Sequence, residues 1–430
     1  MNNKSISLVV WLLSICPAMG QISKSEALNS LDQLGGVYYA YQTPTWKQTP
    51  TPRGYEPFYI SHYGRHGSRF TLGDHDASRL ADILRRAKVQ GALTHTGHRL
   101  LIRLDSIAQL TEYKGGALTS LGVKQQRGIA ERMYRSFPQI FRGDAPVSAR
   151  STTVVRCVLS MDAMCERLKE LNPALRMNRE SDNDYQRYLN HHTERNGEFN
   201  SSKGPWYEEH RKFEQSHLHT DRLMNSLFTP EFTLRCVNPE SFMYDLYWVA
   251  ADMQDVERAP SLYEFFTPEE YFDIWQIYNY KNYVCDAPSP LNCYAHAANA
   301  VPLLRNIIES ADQAIVSGNS SATLRFGHDG NLLPLCGLLR IEGSIASETR
   351  TDHIYEAWTN FRIVPMAANL QMIFFRHKKN PSDIIVKLML NEHEAKIPLA
   401  TDMAPFYHWD DLRAYCMEAM EKAEAYQFQM

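Results

Sequence analysis

The sequence predicts an α/β protein carrying a mainly helical insertion, and three observations lead there. A run rich in β-formers at 55–63 passes directly into the polar loop Gly64-Arg65-His66-Gly67. A second such run, 322–326, passes into Gly327-His328-Asp329-Gly330. Between them, residues 166–318 hold dense charged and aromatic residues in helical rather than alternating patterns. Polar groups at the carboxyl ends of buried strands are the usual arrangement of open α/β sheets.

In chain order, the first twenty residues have the pattern of a signal peptide. Lys4 supplies the positive start, 8–13 with Ile15 the short apolar core, and Ala18-Met19-Gly20 the small residues before a cut after Gly20. This pattern predicts a periplasmic or secreted protein with no stable membrane insertion after cleavage. Pro44, Pro50, Pro52 and Gly54 mark an irregular segment before the strand at 55–63. Helices are expected at 74–89, with Leu80, Ile83 and Leu84 on one face, and at 122–137, capped by Thr119-Ser120. A short strand at 145–149 precedes a helix in which Cys157, Met161, Met164, Cys165 and Leu168 recur by three or four. Helical patterns within the insertion include 268–280 and 295–311. After the strand at 322–326 come a helix at 332–339, strands at 363–377 and 383–390, and a helical tail at 410–426. The division expected is a signal peptide at 1–20, an α/β catalytic domain at 21–165 plus 319–430, and a helical, substrate-selecting insertion at 166–318.

Composition narrows the class of partner. The 430 residues carry a net charge of −4, which argues against broad nucleic-acid binding but leaves room for a local basic pocket. Removal of residues 1–20 leaves seven of the eight cysteines, with no C-x-x-C spacing for a zinc ribbon. Cys285 and Cys293 flank a loop-like stretch and could close a disulfide in an oxidising compartment. The alternative, equally open for that pair, is that the cysteines are small buried hydrophobes. His191-His192 and the His217/His219 pair lack a fixed ligand set and read as surface histidines. The run Arg85, Arg86, Lys88, His98, Arg99, Arg103 reads as a solvated face.

The chemistry resides in the two polar loops. Phosphate-ester hydrolysis needs a nucleophile in line with the leaving oxygen, cations around the phosphoryl oxygens and an acid for the leaving group. Arg65 and Arg69 place two guanidiniums around the imidazole of His66, and guanidinium forks suit phosphate oxygens. Gly64 and Gly67 would let backbone N–H groups approach an anion. His328 and Asp329 stand at a strand end before a helix, where anions are favoured. There His328 can donate to phosphate and Asp329 can protonate a leaving oxygen, although an Asp in that place also serves as a plain helix cap.

Four motifs in order resemble the histidine acid phosphatases, the exported branch of the histidine phosphatase superfamily. They are Arg65-His66-Gly67-Ser68-Arg69; Leu118-Thr119 with Gly122 and Gln125; Arg150-Ser151-Thr152 with Arg156; and His328-Asp329. The stretch Val364-Pro365-Met366-Ala367-Ala368-Asn369-Leu370 is similar to a further family segment. The resemblance implies a phosphoglycerate-mutase-like three-layer α/β/α sandwich and a metal-free, cofactor-free phosphomonoesterase. It implies that His66 is the phosphorylated nucleophile and Asp329 the proton donor, with Arg65, Arg69, Arg156 and His328 binding the phosphoryl group. Arg150 competes with Arg156 and is expected to be structural. Length, insertion and the 364–370 stretch lean toward the multiple inositol polyphosphate phosphatase branch, whereas His-Asp is the pattern of phytases and general acid phosphatases. The substrate expected is a small phosphate ester, inositol polyphosphate of the phytate type. The alternatives are a broad acid phosphatase for sugar or nucleotide monophosphates and a phosphate-binding envelope protein without turnover.

Overall fold

The computed structural model describes residues 22–45 and 47–426, so the signal-peptide reading lies outside the described residues. One mixed sheet organises the chain. Its strands are β1 (Tyr55–Arg65), β2 (Pro146–Ser151), β3 (Arg176–Glu180), β4 (Ala322–Gly327), β5 (Asn369–His377), β6 (Ile384–Leu390), β7 (His393–Glu394) and β8 (Phe406–His408). The order is β3-β2-β4-β1-β5-β6-β7, with β8 also paired to β6. Strands β1 to β4 run parallel, and β5 returns antiparallel along β1. The carboxyl ends of β1, β2 and β4 therefore share one edge of the sheet with the amino end of β5.

Alternation along the strands assigns the two faces. Tyr59 and Tyr63 of β1 join Leu370, Met372 and Phe374 of β5 in a core with the helices Val301–Ser317, Asp329–Leu338 and Trp409–Tyr426. Ile60 instead joins Val147, Ala149, Leu324, Phe326 and Ile373 beneath the helices Ser120–Ser136 and Val155–Leu171. Such double coverage is what a largely parallel sheet requires, and it gives three layers. The helix Ser120–Ser136 starts where its sequence says it should, for Thr119 Oγ1 accepts the Gly122 amide at 3.1 Å.

Three expectations change. The apolar faces of the helices Asp76–Val89 and His95–Thr111, built on Leu80, Leu84, Leu100 and Leu104, pack with Leu223, Leu227, Phe242 and Leu246 rather than on the sheet. The helical lobe thus draws on residues assigned to the 21–165 segment. Conversely the stretch read as an insertion from 166 holds β3, the sheet's edge strand, which pairs with β2 from Pro146↔Arg176 to Arg150↔Glu180. Periodicity missed β3 because an edge strand of charged and polar residues has no apolar alternation. The strand read from 363 begins only at Asn369. Residues Asn360–Ile363 form a helical turn, and Ala367 adopts φ 57°, which interrupts extended backbone. All seven described cysteines are free; Cys285 is buried and Cys293 exposed, so that pair is not bridged here.

Candidate active site

The sheet edge gathers the predicted residues. Arg65 ends β1 opposite Gly327 of β4, and Ser151 ends β2 opposite Phe326. His66 therefore follows β1 beside His328, with ring centroids 5.7 Å apart. Its amide donates to the Gly327 carbonyl at 3.1 Å and its own carbonyl accepts from Ala367 at 2.9 Å. His66 Nδ1 lies 2.8 Å from the Gly67 carbonyl. A carbonyl only accepts, so Nδ1 carries the proton and Nε2 keeps its lone pair. Burial, then Arg65, Arg156 and Arg69, hold His66 well below the usual histidine range. Burial contributes more than any one of the arginines does.

The glycines of the loop serve packing rather than anion binding. The amides of Arg65, His66, Gly67 and Ser68 are all engaged, by Ala368 O, Gly327 O, Ser160 Oγ and Gln125 Oε1 respectively. A Cβ on Gly67 would stand 2.5 Å from the Gly122 carbonyl, so the loop and the start of helix Ser120–Ser136 touch backbone to backbone. Gln125 explains its place in the motif, because its Nε2 also donates to Ser68 Oγ at 2.8 Å. Gln126 Nε2 donates to the Arg65 carbonyl at 2.9 Å.

The cationic groups of the site are side chains. Arg65 is 1% exposed; its Nη1 donates to the carbonyls of Val37 at 2.5 Å and Val364 at 2.7 Å, and its Nη2 is 3.2 Å from Asp329 Oδ2. Arg69 lies over the Tyr38 ring, 4.6 Å from its centroid, and donates to the Phe70 carbonyl at 2.9 Å. Arg156 occupies the first turn of helix Val155–Leu171, close enough to act on His66. The Nε atoms of Arg65, Arg69 and Arg156 are all buried without a hydrogen-bond partner. Arg65 and Arg69 are buried and Arg156 partly so, and donors left unpaired there are costly unless an anion completes the guanidiniums. Arg150 is held elsewhere, its Nε 3.1 Å from Glu180 and its guanidinium over Tyr185 at 4.7 Å.

His328 caps helix Asp329–Leu338, with Thr152 Oγ1 3.3 Å from its Nε2 and the Tyr63 hydroxyl accepting its amide at 3.2 Å. Burial takes its pKa down to about 4, against the pull of Asp329 and with Arg156 and Arg65, so the ring is neutral near pH 7. Asp329 keeps 30% of its side chain exposed. Burial opposes its charge, yet Arg65, then His328 and Arg69, hold it below the ordinary carboxylate value. Sequence reasoning missed the Val37 carbonyl and Tyr38, which arrive from the irregular amino-terminal segment. It also missed Asp252 and Asp255, whose only signal is two acids in the apolar stretch Val249-Ala250-Ala251-Asp252-Met253-Gln254-Asp255.

Residues 64–391 match the family model of the histidine phosphatase superfamily, branch 2, a span that holds all four motifs but not Val37 and Tyr38. The chain belongs to that family. A search of curated proteins gave no match. Among solved structures, the histidine phosphatase fold is shared with the Bifidobacterium longum multiple inositol polyphosphate phosphatase in complex with inositol hexasulfate. That comparison has a TM-score of 0.69 and 17% identity, covering 89% of this chain and 97% of the other. The phytase from D. castellii gives a TM-score of 0.64 at 12% identity, covering 96% and 90%. A Hafnia alvei phytase in complex with myo-inositol hexakis sulphate gives 0.54 at 13%, covering 87% and 99%. No helix among the described residues is long and apolar enough to cross a membrane.

Proposed function

We propose that this histidine phosphatase is an exported phosphomonoesterase that hydrolyses inositol polyphosphates of the phytate type through a phosphohistidine. The observation that carries the reading is His66, with Nδ1 tied to the Gly67 carbonyl and Nε2 free among three incompletely paired guanidiniums. Nε2 attacks phosphorus as the ester P–O bond breaks, and the departing alkoxide takes the proton of Asp329. Arg65, Arg69, Arg156 and His328 bind the phosphoryl oxygens. Water then attacks phosphorus, returns a proton to Asp329 and breaks the P–N bond, releasing phosphate. In the free protein Arg65 holds Asp329 ionised. A phosphoryl dianion arriving beside Arg65 competes for that cation and raises the carboxylate's proton affinity, so the acid is armed as substrate binds.

The substrate class rests on the named ligands of the neighbours, inositol hexasulfate and phosphate among them. Rapid quenching with radiolabelled substrate tests the mechanism. An acid-labile, base-stable label on wild type and none on His66→Ala is expected, and label retained by His66→Ala refutes it. Phosphate release from phytate is compared with release from an aryl phosphate at equal concentration. Absent release from phytate refutes the substrate class. A culture fractionation that finds the protein uncleaved in the cytoplasm refutes export.

A further inference from the structure

Two buried acids beneath the phosphate loop have no part in the mechanism above. Asp252 ends the helix Pro239–Asp252, and Asp255 lies one turn further on, in Met253–Asp255. Both are fully buried. Asp255 Oδ1 accepts from Ser68 Oγ at 2.5 Å, and Asp252 Oδ2 accepts the Thr71 amide at 2.8 Å. The pair thus grips the loop on either side of Arg69. The other oxygen of each, Asp252 Oδ1 and Asp255 Oδ2, is buried without a partner. Gln254 between them clamps the amino-terminal segment, its Oε1 accepting from Ala40 at 3.0 Å and its Nε2 donating to Asp32 O at 3.0 Å. One helical turn therefore holds both the loop bearing Arg69 and the segment bearing Tyr38.

We propose that Asp252 and Asp255 are a positioning pair that registers the Ser68–Thr71 loop and, through their joint charge, sets how strongly Arg65 and Arg69 attract an anion. Two carboxylates one turn apart in a dry interior do not both ionise readily, because each opposes the other and water is absent. Burial pushes Asp252 up to about 8, while burial and Asp252 together push Asp255 well above the ordinary carboxylate value. The groups that act on the pair are Arg65 and Arg69 from the loop and Asp76 from helix Asp76–Val89; Tyr38, on the amino-terminal segment, couples to Asp252 and both arginines. Tyr38 is raised above its usual 10, so it stays neutral between pH 6.5 and 9. As pH rises through about 8 a negative charge develops behind Arg69 and weakens the site for anions.

This inference rests on the proposed phosphate site, and its test uses binding rather than turnover. Inositol hexasulfate is the probe, because its sulfate esters do not titrate in this range. Calorimetric affinity is measured at pH 6.5 and 9 for wild type and for Asp252→Asn/Asp255→Asn, which keeps the acceptors without the charge. Wild type is expected to weaken roughly tenfold across that interval, the scale of one unit charge acting through a protein interior, while the double variant stays level. Asp252→Asn alone carries the same expectation if the double variant does not fold. Steady-state kinetics on an aryl phosphate should place the difference in KM rather than kcat. Equal slopes in wild type and variant overturn the pair's role and leave the phosphatase reading standing. Wild type that binds no hexasulfate at either pH overturns both.

Discussion

Arg65 and Asp329 meet with Nη2 3.2 Å from Oδ2, so the cation proposed to grip the phosphoryl group also holds the carboxylate proposed as the acid. Loss of the acid should consequently depend on the alcohol. Asp329→Asn is expected to lower kcat by about 10² to 10⁴ for an alkyl phosphate and far less for a nitrophenyl phosphate, whose leaving group needs no proton. Steady-state kinetics across a leaving-group series measures this. Equal losses for all esters would mean that Asp329 is not the proton donor.

The two arginines of the third motif should separate cleanly. Arg156→Met removes a guanidinium whose Nε is unpartnered and should raise KM roughly tenfold or more. Arg150→Met breaks the partly exposed contacts with Glu180 and Tyr185, away from His66, and should leave KM within about twofold. The reverse pattern in the kinetics would exchange their roles.

Gln125→Leu tests the loop's anchor. It strips the partner from the buried Ser68 amide and should cost about 1–3 kcal/mol of stability. Urea denaturation reads the loss, and a rise in KM should accompany it because Arg69 is the next residue. Unchanged stability would show that a rearranged loop finds another acceptor.

Acid should unfold this protein through its buried imidazoles. His62 is 1% exposed with both ring nitrogens unpartnered, and burial, then Arg325, takes its pKa down to about 3. The unfolded chain protonates this residue near 6.5, so below that pH the unfolded state binds more protons and stability falls until the folded value is reached. His62→Phe should remove about 2 kcal/mol of the stability lost between pH 7 and 5. Melting curves at the two pH values give the comparison, and parallel curves for variant and wild type would rule the effect out.

The strand-and-loop units at 55–67 and 322–330 were legible because apolar β-formers run straight into polar, glycine-bearing loops, and the topology then brings them together. His66, Arg65, Arg69, Arg156, His328 and Asp329 could be named from four ordered motifs, and they do converge. The charged edge strand β3 lacked the pattern that betrays a half-buried strand. Likewise nothing in the amino-terminal segment announces that the Val37 carbonyl completes Arg65, since a backbone oxygen has no sequence signature. Asp252 and Asp255 were hidden for a related reason: their meaning lies in what the helix end touches, and helical periodicity reports only which side is apolar.

Tyr63 and His328 touch although they lie 265 positions apart, and β1 is completed on one side by β4 and on the other by β5. The reaction centre is therefore a non-local object in folding terms. A chain emerging amino-terminus first carries His66 for most of its synthesis without His328, Asp329 or the flanking strands that complete its surroundings. Loop closure over such a distance is slow compared with forming the helices in between. Competence for phosphoryl transfer should accordingly be among the last properties this molecule acquires, arriving with closure of the sheet rather than with the helical lobe.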